Sequence, residues 1–77
     1  MTKNEFLREI ETVVEAAPGS LTGEESLAKL PGWDSMAAIG FIAMVDSRLG
    51  VVVNPADLAA CKTVADLVAL AGDRVQD

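Results

Sequence analysis

Histidine and tyrosine are both absent from this 77-residue chain. Without an imidazole, neither a Ser–His nor a Cys–His nucleophilic pair can be assembled, and a His-ligated metal is excluded. Cys61 is the single cysteine, so an internal disulfide is impossible and a zinc site has no ligand set; no metal centre is expected. Phe6, Phe41 and Trp33 are the only aromatic residues. The core must therefore come from Leu, Ile, Val, Ala and Met, which favours helices over a sheet sandwich. Six basic residues face twelve acidic ones, for a net charge of −6 with no basic stripe, so nucleic acid is not expected as a partner. The apolar runs fall well short of the ~20 residues that span a bilayer, and the opening MTKNEFLRE has no apolar signal core. A cytoplasmic monomer with no membrane insertion is expected. A chain lacking these catalytic groups enters chemistry as a substrate or a holder rather than as a catalyst.

What is present is the composition of one small globular domain, 1–77, with 51% hydrophobic against 23% charged residues. At this size only a little over ~60% of the unfolded surface is buried, which leaves a thin stability margin. Thr2 and Glu5 have the spacing of a capping box, and Phe6, Ile10, Val13, Val14 and Ala17 recur at helical spacing. Together they predict a first helix over 3–16, with Glu5, Glu9, Glu11 and Glu15 on its wet side and Pro18-Gly19 as its stop. Residues 18–34 form a long connection in which Leu21, Leu27, Leu30 and Trp33 are spaced to pin it on the core. Within it, Thr22 and Glu25 are placed to cap a single helical turn. Asn54-Pro55 opens a short helix over 55–60, and Thr63 with Asp66 starts a last helix running to about Val75.

The second helix is the unusual one. The turn LPGWDSM, 30–36, runs into MAAIGFIAMV, ten uncharged residues from Met36 to Val45, and Asp34 or Ser35 can serve as the N-cap of the helix, with Gly50 placed to end it. At 100° per residue, Phe41, Val45, Leu49, Ala38 and Ile42 share the arc assigned to the core. The opposite arc carries Met36, Ile39, Gly40, Ala43, Asp46 and Ser47, apolar over half its length where a surface helix is normally polar. Gly40 in a helix interior also costs about 1 kcal/mol relative to alanine, which calls for a packing or close-approach reason.

LPGWDSM with its apolar helix, followed by LGVVVNP and TVADLVAL, resembles the acyl carrier proteins from about Leu30 to Leu70. The resemblance implies an all-α fold, a small antiparallel four-helix bundle with a short helix three and a long loop between helices one and two. It also implies that Ser35, in Asp34-Ser35-Met36, receives 4′-phosphopantetheine from coenzyme A by the action of a separate Mg²⁺-dependent phosphopantetheinyl transferase. Acyl or ketoacyl cargo then rides as a thioester on the arm, for fatty-acid-like or polyketide-like biosynthesis. The implied partners are that transferase, an acyl-loading enzyme, and a ketosynthase with related synthase enzymes. Met36 stands where the family has leucine, a change of little volume. The family commonly carries several acids along helix two, whereas this chain has only Asp46, with Gly40 and Ser47 where acids are expected. That points to partners that read shape and apolar contact more than charge.

Each residue singled out also has a plainer role. Ser35 alone would be an N-cap worth about 1 kcal/mol. Met36, Ile39, Gly40, Ala43 and Asp46 are candidates for a partner-docking strip, and the plainer role of Met36, Ile39 and Ala43 is burial against the long loop or Trp33. Ile42, Val45, Val53, Leu58, Cys61 and Leu67 are candidates for an acyl pocket and equally ordinary core. Trp33 is a loop anchor or a platform for the arm, and the acids of helix one read as a solvated face. Two rivals to the acyl carrier remain at this stage. One is a peptidyl or aminoacyl carrier with the same fold and modified serine; the other is a helical interaction module with no prosthetic group.

Overall fold

The computed structural model describes residues 1–76, and its order of elements follows from a series of local caps. Helix α1 spans Lys3–Val14, a 3₁₀ turn Leu27–Lys29, α2 Ser35–Leu49, α3 Pro55–Ala59, α4 Val64–Leu70, and a second 3₁₀ turn Gly72–Arg74. No strand occurs among the described residues; Thr2 with Gln76 and Ser26 with Thr63 form only isolated bridges. The fold is the expected small all-α bundle with a short third helix and a long first loop.

The caps do what their residue types allow. Thr2 accepts from the Glu5 amide while Glu5 accepts from the Thr2 amide, and Thr63 and Asp66 repeat the arrangement at α4. Asn54 caps α3 with Pro55 at its first position, and Gly50 closes α2 in the left-handed conformation at φ 69°. Two helices end earlier than expected. Residue 15 leaves α1 in the left-handed region at φ 59°, its N–H returning to the carbonyls of Glu11 and Thr12, so α1 stops at Val14 and Ala17 is exposed. Helix α4 stops at Leu70 because Gly72, at φ +61°, turns the chain into a 3₁₀ turn instead of carrying the helix to Val75.

Val14 packs beside Gly32, Val13 beside Gly40, and Glu9 pairs with Arg48 at 3.2 Å. Moving forward along α1 thus moves backward along α2, and the two helices are antiparallel. Their shared core centres on Phe6, Ile10, Phe41, Val45, Val64 and Leu67, all with essentially no solvent exposure. Phe41 meets the edge of Phe6 at a centroid distance of 5.9 Å and Trp33 at 6.1 Å, each such pair adding about 0.5–1.5 kcal/mol beyond burial. On α2 the fully buried positions are Ala37, Phe41 and Val45, while Ala38, Ile42 and Leu49 are half-buried. The inward arc is thus turned slightly toward Ala37 relative to expectation, because α1 and the long loop cover one flank of α2 more fully than short α3 covers the other.

Glu11 corrects the expectation of a solvated acidic face on α1. It is 2% exposed, and its carboxylate accepts from the backbone N–H groups of Gly19 at 3.0 Å and Leu21 at 2.9 Å. Arg8 Nε lies 2.6 Å from the same carboxylate as an ion pair without hydrogen-bond alignment, while Arg8 Nη2 donates to the Leu21 carbonyl at 3.1 Å. One acid of α1 therefore takes the place of secondary structure for the first part of the loop. Further on, the Glu25 carboxylate accepts from the amides of Thr22 and Gly23; it closes a turn there rather than starting a helix, and the helical turn comes later, at Leu27–Lys29. The loop is then laced to the start of α4: Leu27 N–H donates to Lys62 O, Val64 N–H to Glu25 O, and Ala65 N–H to Gly23 O. Arg74 and Gln76 are tied down in the same way. Gln76 N–H donates to Met1 O, Lys3 N–H to Gln76 O, and Arg74 Nη1 to the Leu49 carbonyl at the foot of α2.

Burial opposes ionisation of Glu11, but the amides of Leu21 and Gly19 and the Arg8 side chain outweigh it and hold the carboxyl below the ordinary value of 4.5. The resulting stabilisation is fully present above that ordinary value and is lost as pH falls through the lower folded value. Glu5 (held down first by the Thr2 amide), Glu25 (by Thr22) and Asp66 (by Lys62) are also depressed and act in the same acid window. Glu11→Gln should cost about 1–3 kcal/mol at neutral pH and flatten, without abolishing, the fall in stability below pH 4.5, as read by urea unfolding across a pH series.

Candidate functional site

The approach to Ser35 is shaped by a close packing of two backbones. Gly32 has φ +86° and lies against the end of α1, where a β-carbon would overlap the Val14 carbonyl oxygen and come within 3.1 Å of its carbon. Only glycine suits both the backbone angle and the gap. Beyond it the Trp33 amide closes a turn onto Leu30 O at 3.2 Å, and the half-buried indole rests on Phe41. The turn is thus fastened to the core one residue before Asp34.

Asp34 is the N-cap, its Oδ1 accepting from the Ala37 amide at 2.9 Å. Ser35 is therefore the first residue of α2 rather than its cap, and its side chain is exposed with no hydrogen-bond partner among the described residues. The amides of Ser35 and Met36 have no partner there either. An anion held on the Ser35 hydroxyl would meet two free N–H donors and the positive end of a 15-residue helix. The structure thus removes the plainer role for Ser35, since the capping work is done by its neighbour.

Two concavities flank this serine. One, of about 360 Å³, is apolar and is lined by Trp33, Ser35, Ala38 and Ile39 with Ile42 of α2 and Pro55, Leu58 and Ala59 of α3. The other, of about 340 Å³, lies on the α1 side and takes in Met36 and Gly40. Of the acyl-pocket candidates, Ile42 and Leu58 line the α3-side cleft. Val45, Val53 and Leu67 are buried in the core, and Cys61 is half-buried at the end of α3. Burial, then Asp66 and Asp57, push the Cys61 thiol up, and its Sγ donates to Asp57 O at 3.5 Å, so it is a poor nucleophile. Ala38, Pro55 and Ala59 were not expected in this cleft. Nothing in their spacing announces it, because the cleft is made by how α3 crosses α2.

The residues of the expected strip divide between the two sides. Met36, 76% exposed, borders the α1-side groove; Ile39, 63% exposed, borders the α3-side cleft. Ala43 and Asp46 are exposed farther along α2. Gly40 faces α1, where a β-carbon would sit 3.7 Å from Val13 Cγ1. The cover by the long loop that would have hidden Met36 and Ile39 is not there.

Comparison with known protein families finds a match to the phosphopantetheine attachment site family over residues 4–71, most of the chain. Comparisons with curated proteins and with solved structures gave no match. The donors and the apolar cleft around Ser35 suit a phosphate-linked, partly apolar arm.

Gly32→Ala should cost on the order of 2–4 kcal/mol, from left-handed backbone strain and the overlap with Val14, measured by denaturant unfolding. Asp34→Ala should cost about 1 kcal/mol through loss of the cap.

Proposed function

The chain belongs to the phosphopantetheine attachment site family, and from that premise we propose that it is an acyl carrier protein whose Ser35 hydroxyl bears the prosthetic group. Members of this family carry 4′-phosphopantetheine covalently, and the chain is a phosphopantetheine-dependent carrier. The single observation that carries the assignment to Ser35 is that this hydroxyl is exposed and unpartnered at the start of α2 while Asp34 supplies the cap.

On the transferase, Ser35 Oγ would give its proton to a base of that enzyme and form a P–O bond to the phosphopantetheine phosphate of coenzyme A, while the pyrophosphate P–O bond breaks and adenosine 3′,5′-bisphosphate leaves. The amides of Ser35 and Met36 favour the phosphate charge that results. Gly32 and Trp33 hold the turn in place, so that Ser35 is presented to an enzyme without the helix end having to reorganise. When bound, the arm supplies a terminal thiol on which acyl or ketoacyl cargo is held as a thioester. The chain's own thiol, Cys61, is half-buried with a raised pKa and takes no part. Trp33, Ile39, Ile42 and Leu58 offer apolar surface beside the serine, where an aliphatic cargo is better accommodated than a charged aminoacyl group; this favours the acyl over the peptidyl reading. The exposed side chains of Met36 and Ile39, with Ala43 beyond them, serve as the docking strip for loading and synthase enzymes.

Incubation with coenzyme A, Mg²⁺ and a broad-range phosphopantetheinyl transferase should add the mass of one arm, and Ser35→Ala should abolish the gain. A wild-type chain left unmodified by several transferases would sink the carrier reading. Ile39→Asp should leave helicity intact while slowing cargo transfer from a cognate loading enzyme roughly tenfold, the effect of losing one apolar anchor. Unchanged transfer would exclude Ile39 from the docking strip.

A further inference from the structure

A chain without histidine or tyrosine offers an oxidant few side chains: three methionines, one cysteine and one tryptophan. Met1, Met44, Trp33 and Cys61 are each half-buried and packed against the core. Cys61 is also held as the thiol, because burial and then Asp66 and Asp57 oppose its charge, and the thiolate is the form that reacts with peroxides. Met36 is the exception. It is 76% exposed at the second position of α2 and takes no part in core packing. Helical side chains lean toward the N-terminus, so the patch that Met36 covers lies toward the end of α2 that carries Ser35. The same side chain borders the groove formed with Val13, Val14 and Gly40. Leucine would supply nearly the same volume and apolar surface there without the sulfur. The most accessible oxidisable group of the chain therefore adjoins its exposed, unpartnered serine.

We propose that Met36 is an oxidation site, at which a peroxide converts the thioether to the sulfoxide and thereby slows the loading of Ser35. The sulfur lone pair attacks one peroxide oxygen and an S–O bond forms as the O–O bond breaks. The proton of the transferred hydroxyl passes to the leaving oxygen. Sulfur is oxidised, and the peroxide is reduced to water, or to an alcohol when it is an organic hydroperoxide. The product is polar where the thioether was apolar and flexible. An enzyme that contacts this surface loses part of its apolar contact, and the sulfoxide oxygen brings an acceptor to a helix end whose first amides lack one. Because Met36 lies outside the core, the fold is left unchanged. Thiol-dependent reductases return the sulfoxide to methionine, so the change is reversible. The proposal rests on the carrier reading only in naming the loading of Ser35 as the reaction that is slowed.

The test is limited oxidation of the full, unloaded chain with hydrogen peroxide, followed by peptide mapping in a mass spectrometer. One oxygen is expected on Met36 roughly fivefold faster than on Met1 or Met44, with the urea midpoint unchanged while Met36 alone is oxidised. With coenzyme A, Mg²⁺ and a transferase, the Met36-oxidised chain should load with kcat/KM lowered roughly fourfold, the effect of losing about one methylene of apolar contact. Methionine sulfoxide reductases acting on both epimers, supplied with a dithiol, should restore the rate. Met36→Leu, whatever its own rate, should load equally fast before and after peroxide, whereas Met44→Leu should keep the loss. Oxidation of Met1, Met44 or Cys61 before Met36, or at an equal rate, overturns the site. Loading that the oxide leaves unchanged, or that falls equally in peroxide-treated Met36→Leu, overturns its effect on Ser35. A wild-type chain that is never loaded overturns the carrier reading and with it that effect, while the peptide map decides the oxidation site on its own.

Discussion

A carboxylate held inside the protein organises the part of the fold that has no helices of its own. Glu11 gathers the amides of Gly19 and Leu21, and Arg8 neutralises it while taking the Leu21 carbonyl. A small domain with a thin stability margin cannot leave the polar groups of a long loop unpaired beside its core. Fixing Leu21 against the core gives the rest of the loop a defined start. Backbone bonds to the head of α4 give it a defined path, and the contact of Gly32 with Val14 gives it a defined end. The position of Ser35 depends on all three.

The order of these constraints explains how an exposed hydroxyl can be placed reproducibly. The turn before α2 is anchored by Trp33 on Phe41, and Phe41 is itself held by Phe6. Three aromatic rings in edge-to-face contact run from α1 to the residue before the N-cap. The division of labour at the helix start follows: Asp34 satisfies the Ala37 amide, which leaves the next residue's hydroxyl exposed and unpartnered. On either side of that hydroxyl the surface differs, apolar toward α3 and acid-rimmed toward α1.

The parts of this arrangement that were legible in the sequence are those decided by residues a few positions apart. Thr2 with Glu5, Asn54 with Pro55, Thr63 with Asp66, and Gly50 after Leu49 each announce a helix end through a bond spanning two to four residues. The boundaries of α2 follow from such signals and agree with the structure. Glu11 was misjudged because its partners lie eight and ten residues ahead, across a loop whose path no local pattern reveals. The same holds for Gly32, whose need for a bare α-carbon comes from Val14. The premature end of α1 at a left-handed glutamate carried no warning in its residue type. The wider pattern around Ser35 singled out that residue as a candidate, but which of Asp34 and Ser35 caps the helix was settled only by geometry.

The tie between Arg74 and the Leu49 carbonyl sets the direction in which this molecule can be handled. Leu49 closes the helix that Ser35 opens, about 21 Å away along the axis at 1.5 Å per residue. Met1, Lys3 and Gln76 exchange backbone bonds, and Arg74 holds that junction to the foot of α2. A tether joined at Met1 or Gln76 would therefore pull on the base of the bundle, the end opposite Ser35 along α2. Surface immobilisation through those residues would orient the bundle like a flag on its pole, with the Ser35 end free to sweep the surrounding solution.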